Sequence, residues 1–122
     1  MRPHQKLDLW KRAIEFVVAI NKITERFPKE EKFGLTSQLR RAAVSIVANI
    51  AEGAARTSPR EFLQFLSHSQ GSAREVDTEL VIALRLGYLV EKEYLELSRD
   101  LDDIGKMITR LSQGIRRKQL LP

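Results

Sequence analysis

The feature that most constrains the fold is an apolar pattern with the period of an α-helix near the C-terminus of the chain. Apolar residues there recur at alternating steps of three and four, namely at Tyr94, Leu97, Leu101, Ile104, Ile108, Leu111 and Ile115. This spacing places them all on one face of a helix and is typical of the seam of a coiled coil. The sequence therefore predicts a helix over about residues 91–117.

Three further apolar stripes with a helical period precede this one, and they predict helices over about residues 8–27, 36–54 and 59–86. No run of alternating β-branched residues indicates a strand, and no dipeptide typical of a hairpin turn is present. Four long helices with short links favour an all-α, antiparallel up-down-up-down four-helix bundle. The length of 122 residues is that of one domain, so residues 1–122 are predicted to form a single bundle domain.

The clearest local signals lie in the third predicted helix. Ser58 has the side chain of an N-cap, Pro59 suits the first helical position, and Glu61 is placed to complete a capping box. Gly71, in the middle of the same helix, predicts a close crossing with another helix, because glycine in a helix otherwise lowers stability.

The composition excludes most catalytic and cofactor-binding classes of protein. The chain has no Cys, and its two His residues, His4 and His68, have no Glu three positions before them. No phosphate-binding glycine loop or nucleophile motif is present. We therefore expect no enzymatic activity, no cofactor and no metal site. With no apolar run near 20 residues and a polar N-terminus, we also expect no membrane span and no signal peptide, and a cytoplasmic protein.

The charge is basic overall and is distributed unevenly along the last predicted helix. The net charge is +5; residues 88–105 hold two basic and six acidic side chains, and residues 106–122 hold five basic and none acidic. Compensation of the helix dipole explains such a pattern in any helix. A phosphate-binding end is the alternative. The candidates for contact with nucleic acid are Arg40, Arg56, Lys106, Arg110, Arg116, Arg117 and Lys118.

A second set of polar residues follows one face of the second predicted helix and continues on the third. Its members are Arg41, Asn49, Glu52, Ser72 and Glu75. We interpret them as a structural polar network or a subunit contact, in which Arg41 meets an acidic residue of the third helix. Arg40, in contrast, is expected to point to solvent. Direct contact of Arg40, Arg41 or Arg56 with nucleic acid is the alternative.

The central part of the chain resembles a known family. The segments Phe27-Pro28-Lys29-Glu30-Glu31, Phe33-Gly34-Leu35-Thr36-Ser37-Gln38-Leu39-Arg40-Arg41-Ala42-Ala43 and Ser45-Ile46-Val47-Ala48-Asn49-Ile50-Ala51-Glu52-Gly53 carry the resemblance. They are similar to the four-helix bundle proteins encoded in intervening sequences of bacterial 23S ribosomal RNA genes. One departure is Val47, where many members carry Pro.

The resemblance implies a bacterial protein that assembles into a ring-like homopentamer. A related family member, the accessory variability determinant protein of diversity-generating retroelements, is a basic pentameric barrel that binds nucleic acid and a reverse transcriptase. Our leading hypothesis is a non-enzymatic oligomeric bundle that binds RNA or structured nucleic acid through phosphate contacts. The nucleic acid can be RNA or DNA. The alternative is an oligomeric protein-interaction adaptor whose affinity for nucleic acid is incidental.

Overall fold

The computed structural model describes residues 2–119, except the side chains of Gln5 and Lys6. Over this range the chain forms four α-helices and no strand: α1 (Asp8–Thr24), α2 (Leu35–Ala54), α3 (Pro59–Arg85) and α4 (Glu91–Gln119). Two short 3-10 helices, Pro3–Lys6 and Lys29–Glu31, precede α1 and α2. The prediction of an all-helical, four-helix fold is therefore confirmed. The last three residues of the basic C-terminal segment, 120–122, lie outside the described range.

The helices form a bundle in which each helix packs against two others. α2 contacts α1 and α3, and α4 contacts α3 and α1, so the four helices enclose one core. The apolar stripes identified from the sequence fill that core, because burial of one face of each helix is what makes a bundle stable. Its most deeply buried large side chains are Ile20, Leu39, Ile46, Ile50, Leu66, Leu80, Ile104 and Ile108. No helix within the described residues is long and apolar enough to span a membrane.

α1 ends three residues earlier than the sequence predicts. Its last residue is Thr24, whose hydroxyl donates hydrogen bonds to the backbone oxygens of Ile20 (2.7 Å) and Asn21 (3.2 Å). The chain then turns, and Phe27 still reaches the core, where its ring lies 5.4 Å from that of Tyr88. Phe27 is therefore buried although it lies in the turn after α1, and this is why the apolar pattern in the sequence continues past the end of the helix.

α3 begins where the sequence predicts, with Ser58 as the N-cap. The hydroxyl of Ser58 accepts a hydrogen bond from the backbone N–H of Glu61 at 3.3 Å. The Glu61 carboxylate faces Arg56, with 3.8 Å between Oε2 and Nε, so the predicted capping box is present in its first half.

The close approach of two helices occurs at Gly53 and not at Gly71. A Cβ atom on Gly53 would lie 2.8 Å from the ring of Phe62 and 2.9 Å from the Cβ of Phe65. A Cβ atom on Gly71 would meet nothing within 4 Å. The prediction of a close crossing at Gly71 is therefore wrong; glycine is required at the end of α2, where α3 folds back over it.

Candidate functional site

A concave surface lies between α3 and α4, and we call it the α3–α4 groove. Its volume is about 850 Å³, and residues between 70 and 78 of α3 and between 94 and 110 of α4 line it. Its floor includes the small residues Ala73 and Gly105. A groove forms here because small residues between two packed helices leave space that longer side chains at the rim do not fill.

One end of the α3–α4 groove is basic. Arg74 from α3 and Lys106 and Arg110 from α4 line the groove, and all three are exposed. Arg116 lies in a smaller adjoining cavity of about 190 Å³, which shares Arg74 with the groove. None of the four takes part in an ion pair with the described residues, whereas Arg12, Arg26 and Arg56 all do. Their charge is therefore available to an anion from outside the chain.

The other end of the groove is acidic and aromatic. Asp77 lines it together with the half-buried ring of Tyr94, and Asp102 lies midway along the α4 wall, between Tyr94 and Arg110. The Tyr94 hydroxyl donates to Oδ1 of Asp77 at 3.4 Å. The charge along the groove therefore changes sign, so an anionic ligand is attracted to the Arg110 end and repelled from the Asp77 end.

Hydrogen bonds across the floor of the groove tie α3 to α4. Nε2 of Gln70 donates to the backbone oxygen of Gly105 (3.0 Å) and to the hydroxyl of Thr109 (3.2 Å). The Thr109 hydroxyl itself donates to the same backbone oxygen at 3.0 Å. These bonds fix α3 and α4 relative to each other at the floor of the groove, and so set the distance between the two helices that form its walls.

The structure brings together only some of the basic residues predicted to contact nucleic acid. Lys106, Arg110 and Arg116 lie at the groove or its adjoining cavity, while Arg117 and Lys118 are exposed on the last turn of α4. The sequence interpretation missed Arg74. The sequence shows Arg74 only as a basic residue outside the apolar stripe of α3. It does not show which face of α3 meets α4, so it could not place Arg74 beside Lys106 and Arg110.

Arg56 is occupied by contacts within the chain. Its guanidinium pairs with Glu52 at 3.1 Å and lies 4.9 Å from the centre of the Phe65 ring. These contacts hold the α2–α3 connection against α3. The structure therefore places Arg56 and Glu52 together in a local ion pair, away from the α3–α4 groove.

Arg40 and Arg41 take the opposite positions to those expected from the sequence. Arg40 is half-buried, and its Nε and Nη2 donate to the hydroxyl of Thr24 (2.9 Å) and the backbone oxygen of Asn21 (3.2 Å). Arg41 is exposed and has no hydrogen bond or ion pair with the described residues. The expected contact of Arg41 with an acidic residue of α3 is therefore wrong within one chain. Adjacent helical residues point about 100° apart, so an error of one position changes a buried role into an exposed one.

The predicted polar network between α2 and α3 exists, but it is smaller than expected. Its centre is a 2.7 Å hydrogen bond between the hydroxyls of Ser45 and Ser72, to which Asn49 adds a bond from Nδ2 to the Ser45 hydroxyl at 3.1 Å. The buried hydroxyl of Ser69, which the sequence interpretation missed, donates to the backbone oxygen of Ile46 at 2.8 Å. Glu75 is exposed and forms no hydrogen bond or ion pair with the described residues.

Glu79 on α3 is the one buried side chain with an unsatisfied polar atom among the described residues. Its side chain is 5% exposed, and Oε1 has no hydrogen-bond partner. Burial, followed by the nearby charge of Glu75, raises the pKa of Glu79 from 4.5 to about 7. A carboxyl group in this position is therefore largely protonated below neutral pH.

Comparisons with known proteins agree with this fold. The family model of the 23S rRNA-intervening sequence protein matches residues 5–110. A crystal structure of a protein of unknown function from the S23 ribosomal protein family of Bacteroides thetaiotaomicron matches with a TM-score of 0.76. It is 24% identical in sequence, and the match covers 85% of this chain and 97% of that one. No curated protein matches the chain significantly.

Proposed function

Because the chain belongs to the 23S rRNA-intervening sequence protein family, we propose that it is a non-enzymatic, oligomeric helical bundle of the cytoplasm that binds RNA or other structured nucleic acid. Binding takes place through phosphate contacts at the basic end of the α3–α4 groove. The observation that carries this proposal is the cluster of four exposed cations without partners in the described chain: Arg74, Lys106, Arg110 and Arg116.

The arrangement of these cations fits phosphate better than a single compact anion. They come from two helices and extend from the basic end of the groove into the adjoining cavity, so several phosphates of one strand can be contacted at once. Each such contact releases a counterion from the nucleic acid, which gives affinity with little dependence on base sequence.

Assembly into a ring-like pentamer is part of the proposal and rests on the family resemblance. Exposed apolar side chains support an oligomer of some kind, above all Phe33 at 89% and Val90 at 62% exposure. Repetition of a weak phosphate site around a ring increases the overall affinity through multivalency. The antiparallel arrangement of neighbouring helices is proposed on the same basis, supported by the short links and by pairings such as Ser45 with Ser72.

The test is a salt titration of RNA binding by a variant of the groove. Arg74→Ala, Lys106→Ala and Arg110→Ala combined should lower affinity by roughly tenfold or more and reduce the slope of log affinity against log salt by about 3. The matched control combines Lys22→Ala, Lys29→Ala and Arg85→Ala, which removes the same charge from exposed positions elsewhere. The control should bind nearly like the wild type.

A second variant tests the end of α4. Arg116→Ala, Arg117→Ala and Lys118→Ala combined should weaken binding to all RNA sequences alike and also flatten the salt dependence. If both the groove variant and this one bind RNA like the wild type at every salt concentration, the phosphate-binding proposal is wrong. The alternative, an oligomeric protein-interaction adaptor, would then be favoured by the exposed side chain of Phe33.

A further inference from the structure

We infer that the α3–α4 groove binds an unpaired segment of RNA, with its phosphates at the Arg110 end and an unstacked base at the Tyr94 end. This inference rests on the proposed function and names the form of nucleic acid that the groove fits. It is carried by the presence, in one groove, of three kinds of group: cations, polar side chains and an aromatic ring.

The first argument is the position of the cations on both walls of the groove. Arg74 lines the groove from α3, and Lys106 and Arg110 line it from α4. In an RNA duplex the bases are paired inside a stiff A-form helix, whose major groove is too deep and narrow for side chains to read. A duplex can therefore offer only its backbone to the cations, whereas a single strand can bring both phosphates and bases into the groove.

The second argument is that the floor offers hydrogen-bonding atoms that only unpaired bases or sugars can reach. The Oε1 atom of Gln70 lies 3.5 Å from the position that a Cβ on Gly105 would occupy, so it borders the open space above that residue. Ser98 and Thr78 also line the groove. Base edges of a duplex are already paired, whereas those of a loop or bulge are free to bond with such groups.

The third argument is the change from basic to acidic and aromatic side chains along the groove. Asp77, at the Tyr94 end, repels phosphate, and carboxylates accept hydrogen bonds from amino groups of bases. The Tyr94 ring lies at the same end and provides a surface on which a base can stack. A strand with its phosphates near Arg110 therefore places a base, and not its backbone, at the acidic end.

The test compares one short RNA strand with the same strand annealed to its complement, using fluorescence anisotropy at several salt concentrations. We expect the single strand to bind roughly tenfold more tightly, the equivalent of one stacked base. Gly105→Met fills the groove without changing its charge, and should lower single-strand affinity roughly tenfold while leaving duplex affinity nearly unchanged. The matched control is Gly114→Met on the same helix, where a Cβ would meet nothing within 4 Å; it should bind like the wild type.

The possible outcomes separate this inference from the proposed function. Equal or tighter binding of the duplex, or wild-type binding of the single strand by Gly105→Met, overturns the inference and leaves phosphate binding intact. Absence of binding to either RNA overturns the proposed function itself. If Gly105→Met lowers the melting temperature, Gly105→Ala replaces it, because a Cβ at that position makes an ordinary contact of 3.5 Å. Gly105→Ala should then weaken single-strand binding measurably, and wild-type binding by that variant would overturn the inference.

Discussion

At the scale of single residues, Glu79 is the clearest source of pH dependence in this protein. Its carboxyl is buried without a partner for Oε1, and its pKa rises from 4.5 to about 7. In the unfolded chain the same group ionises near its ordinary pKa, so between these two values the folded state holds a proton that the unfolded state has released. The free energy of unfolding should therefore fall as pH rises from about 4.5 to about 7.

The substitution Glu79→Gln should remove this dependence, because an amide does not ionise. At pH 8 the variant should be more stable than the wild type by about 1–3 kcal/mol, and near pH 4 the two should be nearly equal. Chemical denaturation at several pH values measures the difference. Glu75→Gln is the control; Glu75 is exposed, so its substitution should change stability much less. Parallel pH curves for wild type and Glu79→Gln would show that Glu79 does not titrate in this range.

At the scale of the helices, Arg40 connects α2 to the C-terminal end of α1. Its two hydrogen bonds, to the Thr24 hydroxyl and to the backbone oxygen of Asn21, add to the bond that the same hydroxyl donates to that oxygen. Arg40→Ala should therefore lower the free energy of unfolding by about 1–2 kcal/mol. Arg41→Ala is the matched control, since the neighbouring side chain is exposed and has no partner in the described chain. Thermal unfolding that ranks the two variants in the reverse order would contradict this assignment.

The two halves of α4 use their charges differently. In the acidic half, Asp100 and Asp103 both pair with Arg12 of α1, and Glu93 pairs with Arg26 at 2.7 Å. The hydrogen bond from Arg26, followed by that from the backbone of Val90, lowers the pKa of Glu93. In the basic half, Lys106 and Arg110 have no such partners among the described residues. Compensation of the helix dipole accounts for the positions of the charges along α4. The ion pairs show a further difference: charges of the acidic half pair with α1 and its C-terminal turn, whereas those of the basic half are available to a ligand.

At the scale of the whole molecule, the exposed apolar side chains predict self-association. Phe33 is 89% exposed, and its one aromatic contact within the described chain is with the ammonium group of Lys32, 5.5 Å from the ring centre. Light scattering should give a mass well above the 14.0 kDa of one chain. Phe33→Ser should reduce that mass at a given concentration and leave thermal unfolding of the separated chain nearly unchanged, because the side chain packs against little of its own bundle. A stable monomer at micromolar concentration would contradict the prediction.

Much of the fold follows from short-range pattern alone. The period of the apolar residues identified four helices, and the side chain of Ser58 located the start of α3. The seam residues Leu97, Leu101 and Ile104 are buried as their spacing predicts. These properties depend on neighbours three or four positions away in the same helix, so they can be read from the sequence without knowledge of any other helix.

What only the tertiary structure decided is how the helices are rotated and shifted against one another. That choice placed Arg74 beside Lys106 and Arg110 in one groove and put Arg40, not Arg41, against the end of α1. It also placed the close helix contact at Gly53. Exposed residues on different helices become neighbours only through the packing of the whole core, and the helical period of a single segment carries no information about that packing.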